Sequence, residues 1–203
     1  MKIKRIASAM LALLLLLFAA CAKQPAAPAP TTQLPEPGGP SLTVSFDYAK
    51  QSGTASNQFA VWIEDMDGKL VKTLCATEFT AKGGYKNRPD SIAVWVSKAI
   101  GVSDFDAVAS ATPKSSGEVS YVWDLTDEAG EAVPPGTYKF LVEGTLRWKN
   151  YVLCTGEIGI GGADASTQAV AGFAFEGEGR QPALDKSAVE TEMITNVKAE
   201  YIA

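Results

Sequence analysis

Three cysteines, a group of turn carboxylates and the hydroxyls of the stretch DFDAVASATPKSSG, Asp104 to Gly117, are the residues of this sequence that could carry chemistry. There is no histidine. Its absence removes Ser-His-Asp and Cys-His nucleophiles and every histidine-bearing zinc site. Cys75 and Cys154 each lie inside a strand-like run, LVKTLCAT and NYVLCTG. A disulfide between them is permitted outside the cytoplasm, and two buried free thiols fit the pattern equally well. Asp124, Asp127, Glu128 and Glu131 in VWDLTDEAGEAVPPGTYKF could pair as acid and base. Gly130 and Pro134-Pro135 instead mark that string as a turn whose aspartates bind backbone groups. Thr112 stands in a loop between a helix-like run and a strand, where a modifying enzyme could reach a hydroxyl.

Other motifs are weaker. DMDGKL sets Asp65 and Asp67 ahead of Gly68 like half of a calcium loop, but the flanking ligand positions hold Ile63 and Leu74, so a hairpin turn is expected. GEIGIGGAD offers Gly159, Gly161 and Gly162, yet Asp164 takes the place of the third glycine of a dinucleotide loop; an edge strand and loop are expected. Trp62, Trp95, Trp123 and Trp148 sit mostly in apolar runs and are read as core. No residue set reads as a metal site, and the chain is read as non-enzymatic.

The elements that must position these groups are strands. LTVSFDY alternates with period two, QFAVWIE and KLVKTLCAT flank DMDG, and VSYVWDL and GTYKFLVEGTLRW flank the TDEAGEAVPP turn. Further strands are expected at YVLCTGEIGIG, VAGFAFEG and TNVKAEYIA. The predicted fold is mainly β, an immunoglobulin-like antiparallel β-sandwich with one short inserted helical segment. That segment is RPDSIAVWVSKAIG, with Asp90 or Ser91 as cap, Ile92, Trp95, Val96 and Ala99 as apolar face, and Gly101 as stop. It is expected to plug one end of the sandwich. In DFDAVASA, Ser103 or Asp104 can cap a short turn that Pro113 brings to an end.

The N-terminal residues MKIKRIASAMLALLLLLFAAC combine a basic start, an apolar run and small residues before Cys21, the pattern of an export signal. Phe18-Ala19-Ala20-Cys21 resembles the bacterial lipobox, which implies a lipoprotein signal peptide over 1–20 and lipidation of Cys21. Residues 21–40 are rich in Pro and Ala and form no packed element; at roughly 3 Å per residue they make a tether of about 60 Å. Residues 41–203 are then one domain. Without the signal, 15 basic residues face 23 acidic ones, a formal charge of −8. Nucleic acid is not an expected partner. The membrane is, through the lipid, which places the domain in the cell envelope, extracytoplasmic and lipid-anchored.

The pattern W-D-x-x-D-x-x-G-x-x-V-P-x-G-x-Y, from Trp123 to Tyr138, resembles the turn of immunoglobulin-like domains found in the flagellar hook-capping protein and many surface proteins. It speaks for fold and not for function. SFDYAKQSGTASNQFAVWIEDMDGKLVKTL, FTAKGGYKNRPDSIAVWV and the W-D turn together resemble a bacterial family of predicted periplasmic proteins of unknown function. The likeness runs from about Leu42 to Tyr151 and is expected to extend over the rest of the domain. An association of that family with flavin transferases and flavin-bearing membrane redox proteins implies two roles. One is a non-catalytic binding or scaffolding lipoprotein whose partner is a membrane redox or envelope protein. The other is an electron carrier with covalent FMN. Flavin transferases act on D-x-x-S/T-G-A-T/S, against which Asp106, Ala111 and Thr112 fall in place with Thr112 as acceptor. Ala109 replaces the first hydroxyl residue and Ser110 the glycine, whose backbone freedom a serine lacks. Tyr85 or Trp95 would then stack on the ring, with Arg88 near the phosphate.

Overall fold

The computed structural model describes residues 38–51, 57–145, 151–174 and 192–203. The expected signal peptide, most of the tether with Cys21, and Trp148 lie outside the described residues.

Ten strands make two sheets. The smaller takes β1 (Ser41–Tyr48), β5 (Gly117–Trp123), β8 (Ala165–Gln168) and β10 (Ile194–Ile202) in the order β5-β1-β10-β8. The larger takes β2 (Gln58–Glu64), β3 (Leu70–Thr77), β4 (Ala109–Ser110), β6 (Gly136–Thr145), β7 (Tyr151–Ile160) and β9 (Val170–Ala174) in the order β4-β3-β2-β6-β7-β9. All pairings are antiparallel except that of the two-residue β4 with β3. Alternation explains the inner faces: Leu42, Val44, Phe46 and Tyr48 of β1 meet Tyr138, Phe140 and Val142 of β6 in one core between the sheets.

β2 breaks the alternation, because all seven of its residues are buried. At β2 the larger sheet is covered on both faces. Its outer face carries the insertion between β3 and β5, which holds α1 (Glu78–Ala81), a single 3₁₀ turn at Gly84–Lys86, α2 (Ala93–Ala99) and α3 (Phe105–Val108). Ile92, Trp95, Val96 and Ala99 pack there with Trp62, Leu70 and Leu141 as a second core. The expected helix is therefore present but lies flat on the sheet and does not plug an end. Neither Asp90 nor Ser91 caps it. The N-cap is Ile92, held in the left-handed region at φ 40°, with no side-chain cap of its own; this is a costly conformation for a β-branched residue. The cap comes from across the sheet. The buried Glu143 of β6 accepts from the Val94 and Trp95 N–H groups at 3.1 and 2.8 Å, and Thr145 Oγ1 accepts from Ile92 N–H at 2.9 Å. Ser91 is used elsewhere, its hydroxyl bonded to that of Thr80. At the other end of α2, Lys98 Nζ lies 2.9 Å from Glu64 and donates to Gly68 C=O. Gly101 follows at φ 78°, the left-handed stop expected of it.

The W-D turn holds itself together. Asp127 Oδ1 accepts from Ala129 and Glu131 N–H, Asp124 Oδ1 from Thr126, and Gly130 has φ 82°. Trp123 Nε1 donates to Thr126 C=O, and Tyr138 Oη to Pro134 C=O, with the two rings edge to face at 5.3 Å. DMDG is likewise a hairpin turn, with Asp65 Oδ1 accepting from Asp67 and Lys69 N–H. Gly161 turns β7 toward β8, and a Cβ there would meet Pro135 at 2.4 Å, so that glycine serves chain packing.

Two stability tests follow from these contacts. Glu143→Ala strands two helix N–H groups against the sheet and is expected to cost about 3 kcal/mol in urea unfolding, Glu143→Gln clearly less; an unchanged midpoint for the alanine variant would remove the docking role. Tyr48 Oη is buried without a hydrogen-bond partner among the described residues. Tyr48→Phe is accordingly expected to leave the melting temperature unchanged or raise it, by at most about 1 kcal/mol equivalent.

Candidate functional site

The segment with the acceptor hydroxyl begins at Asp104, whose side chain accepts from Asp106 and Ala107 N–H at 3.1 and 3.3 Å and so caps α3. Asp106 is exposed in that turn, Ala109 and Ser110 pair with Ala76 and Thr77 of β3, Ala111 is exposed and Thr112 half-buried. A helical turn and a strand thus separate Asp106 from Thr112, and no hydrogen bond joins them among the described residues. The aromatic residues expected beside a flavin are arranged otherwise. Trp95 is fully buried in the second core, tilted against Phe105 at 4.9 Å, and its Nε1 donates to Thr73 Oγ1. It has no face to offer a ligand. Tyr85 packs edge-on against Phe105 at 5.8 Å, and the Arg88 guanidinium lies over the Phe79 ring.

Ser110, at the glycine position of the attachment pattern, stands beside a buried thiol. The Tyr121 and Ser110 hydroxyls flank Cys75, and burial pushes that thiol up to about 11, against a weak opposite pull from the two hydroxyls. Tyr121 is raised as well, by burial first and then by Cys75. Cys154 is pushed up to about 12 by burial. The two cysteines do not pair; both are free. Cys75 lies opposite Val61, Val61 opposite Val142, and Val142 opposite Cys154. Three inter-strand steps put the two Cα atoms roughly 14 Å apart, beyond any disulfide span.

Two of the cavities lined by described residues open on the surface. One, of about 570 Å³, lies between the β8–β9 corner and β10, walled by Cys154, Phe173, Ile194 and Val197. The other, of about 440 Å³, is bounded by the DMDG hairpin, the W-D turn and the chain just after α2. Leu70, Val71, Val133 and Pro134 floor it and Tyr138 closes one side. Glu128 belongs to this groove and also ties it to the insertion, accepting from Thr73 N–H and Ser103 Oγ while Thr73 Oγ1 receives Trp95 Nε1. Neither cavity includes a residue between 104 and 117.

The model of a family described as predicted periplasmic proteins, DUF2271, matches residues 41–176. The chain belongs to that family. In this DUF2271 member the match spans β1 through β9 and takes in the whole insertion, the W-D turn and the 440 Å³ groove. β10 lies beyond it, yet pairs with both β1 and β8. No curated protein and no solved structure matches the chain. Among the described residues no helix is long and apolar enough to cross a membrane.

The buried carboxylates Glu143 and Glu64 escape a motif search, although each is an acid within an apolar strand, FLVEGT and VWIED. The raised thiols make a pH test. A thiol whose folded pKa lies above its ordinary value of 9.0 contributes stability that is whole below pH 9 and lost as pH rises toward about 11 for Cys75 and about 12 for Cys154. Unfolding midpoints are expected to fall across that window, and Cys154→Ala to flatten the fall after correction for its cavity cost. A flat wild-type profile would contradict the burial.

Proposed function

We propose that this periplasmic-family protein is a lipid-anchored extracytoplasmic binding or scaffolding protein without catalysis of its own, accessory to a membrane flavin-based redox system. One observation carries the reading: the groups that could do chemistry are engaged in holding the fold. Glu143 caps α2, Glu64 binds Trp62 Nε1 and Lys98, Asp65 and Asp127 close turns, and Glu128 joins β3 to the insertion. Both thiols are buried and protonated at neutral pH. Exposed apolar side chains, Phe79, Ile100 and Val102 among them, stand instead on the insertion, as a contact surface requires. The lipobox-like Phe18–Cys21 supports the anchor, and the family's periplasmic description agrees with an exported chain.

A second reading, FMN on Thr112 in an electron carrier, is favoured by the exposure of Ala111 beside the acceptor. Against it, Ser110 is fixed in β4 beside Cys75 and Tyr121 where the attachment pattern has a free glycine.

Mass spectrometry of protein from its native membranes separates the two. Acyl chains on an N-terminal Cys21 and an unmodified Thr112 peptide are expected, together with recovery of a redox or envelope protein on cross-linked pull-down. An FMN mass on the Thr112 peptide would make the protein a carrier, and recovery of no partner would remove the scaffolding role.

A further inference from the structure

We infer that the 440 Å³ groove is the docking site for an extended, basic and apolar segment of a partner protein. The inference rests on the binding reading above and names the partner's chemistry. Two features of the groove complement such a segment. Its floor of Leu70, Val71, Val133 and Pro134 is apolar, and Val102, 51% exposed, stands at its edge with no neighbour to cover it fully. That surface takes one or two aliphatic side chains.

Its rim is acidic. Asp65, Asp127 and Glu128 face the single ammonium of Lys69. The described hydrogen bonds of each carboxylate use one oxygen only: Oδ1 of Asp65, Oδ1 of Asp127 and Oε1 of Glu128. The second oxygen of each accepts nothing among the described residues and is available to a cation. Among the described residues no lysine forms an ion pair with these carboxylates. Lys72 donates to Thr126 Oγ1 and Asp127 C=O, Lys98 to Gly68 C=O while pairing with Glu64, and Lys139 to Met66 C=O. The formal charge of the exported domain, −8, adds a long-range pull in the same sense. Because the turns that carry Asp65 and Asp127 are closed by their own backbone bonds, the rim is pre-formed and little ordering is lost on binding. An acidic or purely apolar segment fits half of the groove and is opposed by the other half.

The test is fluorescence anisotropy of the full-length protein in neutral detergent with two labelled nonapeptides, one alternating Leu and Lys, the other Leu and Glu. Saturable binding of the Leu-Lys peptide is expected, weakened by salt, with the Leu-Glu peptide at least about tenfold weaker. Val102→Lys places a cation at the apolar edge and should weaken Leu-Lys binding about tenfold. Lys69→Glu removes the opposing ammonium and should strengthen it several-fold. Both sites are exposed or partly so, and unchanged thermal melts confirm folding. Equal binding of the two peptides, or no response to either substitution, would overturn the inference. Pull-down distinguishes this failure from that of the broader reading. If the Val102→Lys protein still recovers the envelope partner, the groove is not the dock while the scaffolding role stands; if the wild type recovers none, the scaffolding role itself is lost.

Discussion

A buried carboxylate holding a helix to a sheet is the contact on which this structure turns. Glu143 is fully buried in β6, and an ion in such a place is tolerated only when its lone pairs are filled. The N–H groups of α2 fill them, at the helix end where partial positive charge gathers. Neither side is stable alone: without the helix the carboxylate is stranded, and without the carboxylate the helix starts at a strained Ile92 with its amides unsatisfied. The consequence is a third layer. β2 can be buried throughout because α2 covers the face that a two-sheet sandwich leaves to solvent.

The same economy runs through the other polar groups. From Trp95 the chain of hydrogen bonds passes to Thr73, Ser103 and Glu128 and so reaches the W-D turn. The insertion, the edge of the larger sheet and the turn are thereby fixed to one another, and the groove among them has a defined shape. Such a network is valuable for rigidity only while every member is satisfied. It gives the surface around the groove a fixed pattern of charge.

Strands were legible because alternation and turn residues are local signals. LTVSFDY, QFAVWIE and the W-D string each announce their structure within a few residues, and the sandwich follows from their number. β8 was not legible: ASTQ carries little apolar signal and becomes a strand because β10 offers it an edge. β4 is two residues long and exists only as a partner of β3. The position of α2 was misjudged for a related reason. Its apolar face shows that it packs, while the surface it packs on is decided by Glu143, about fifty positions later in the chain. The expectation that Trp95 might serve a ligand failed on the same point, since burial in the second core is a tertiary fact. Asp104 as a cap was readable, because an Asp two residues before free amides is again local.

The family match ends before β10, and this bears on what the shared part can be for. β10 is central in the smaller sheet, between β1 and β8, so its removal would open the face of the core at Val44, Phe46 and Tyr48. The insertion, the second core and the groove lie within the matched residues; the second core covers the outer face of the larger sheet, and the groove opens beside the core between the sheets, against which Val71 and Val133 pack and to which Tyr138 belongs. The smaller sheet closes one side of the core, and the insertion covers the opposite face of the larger sheet at β2 and β3.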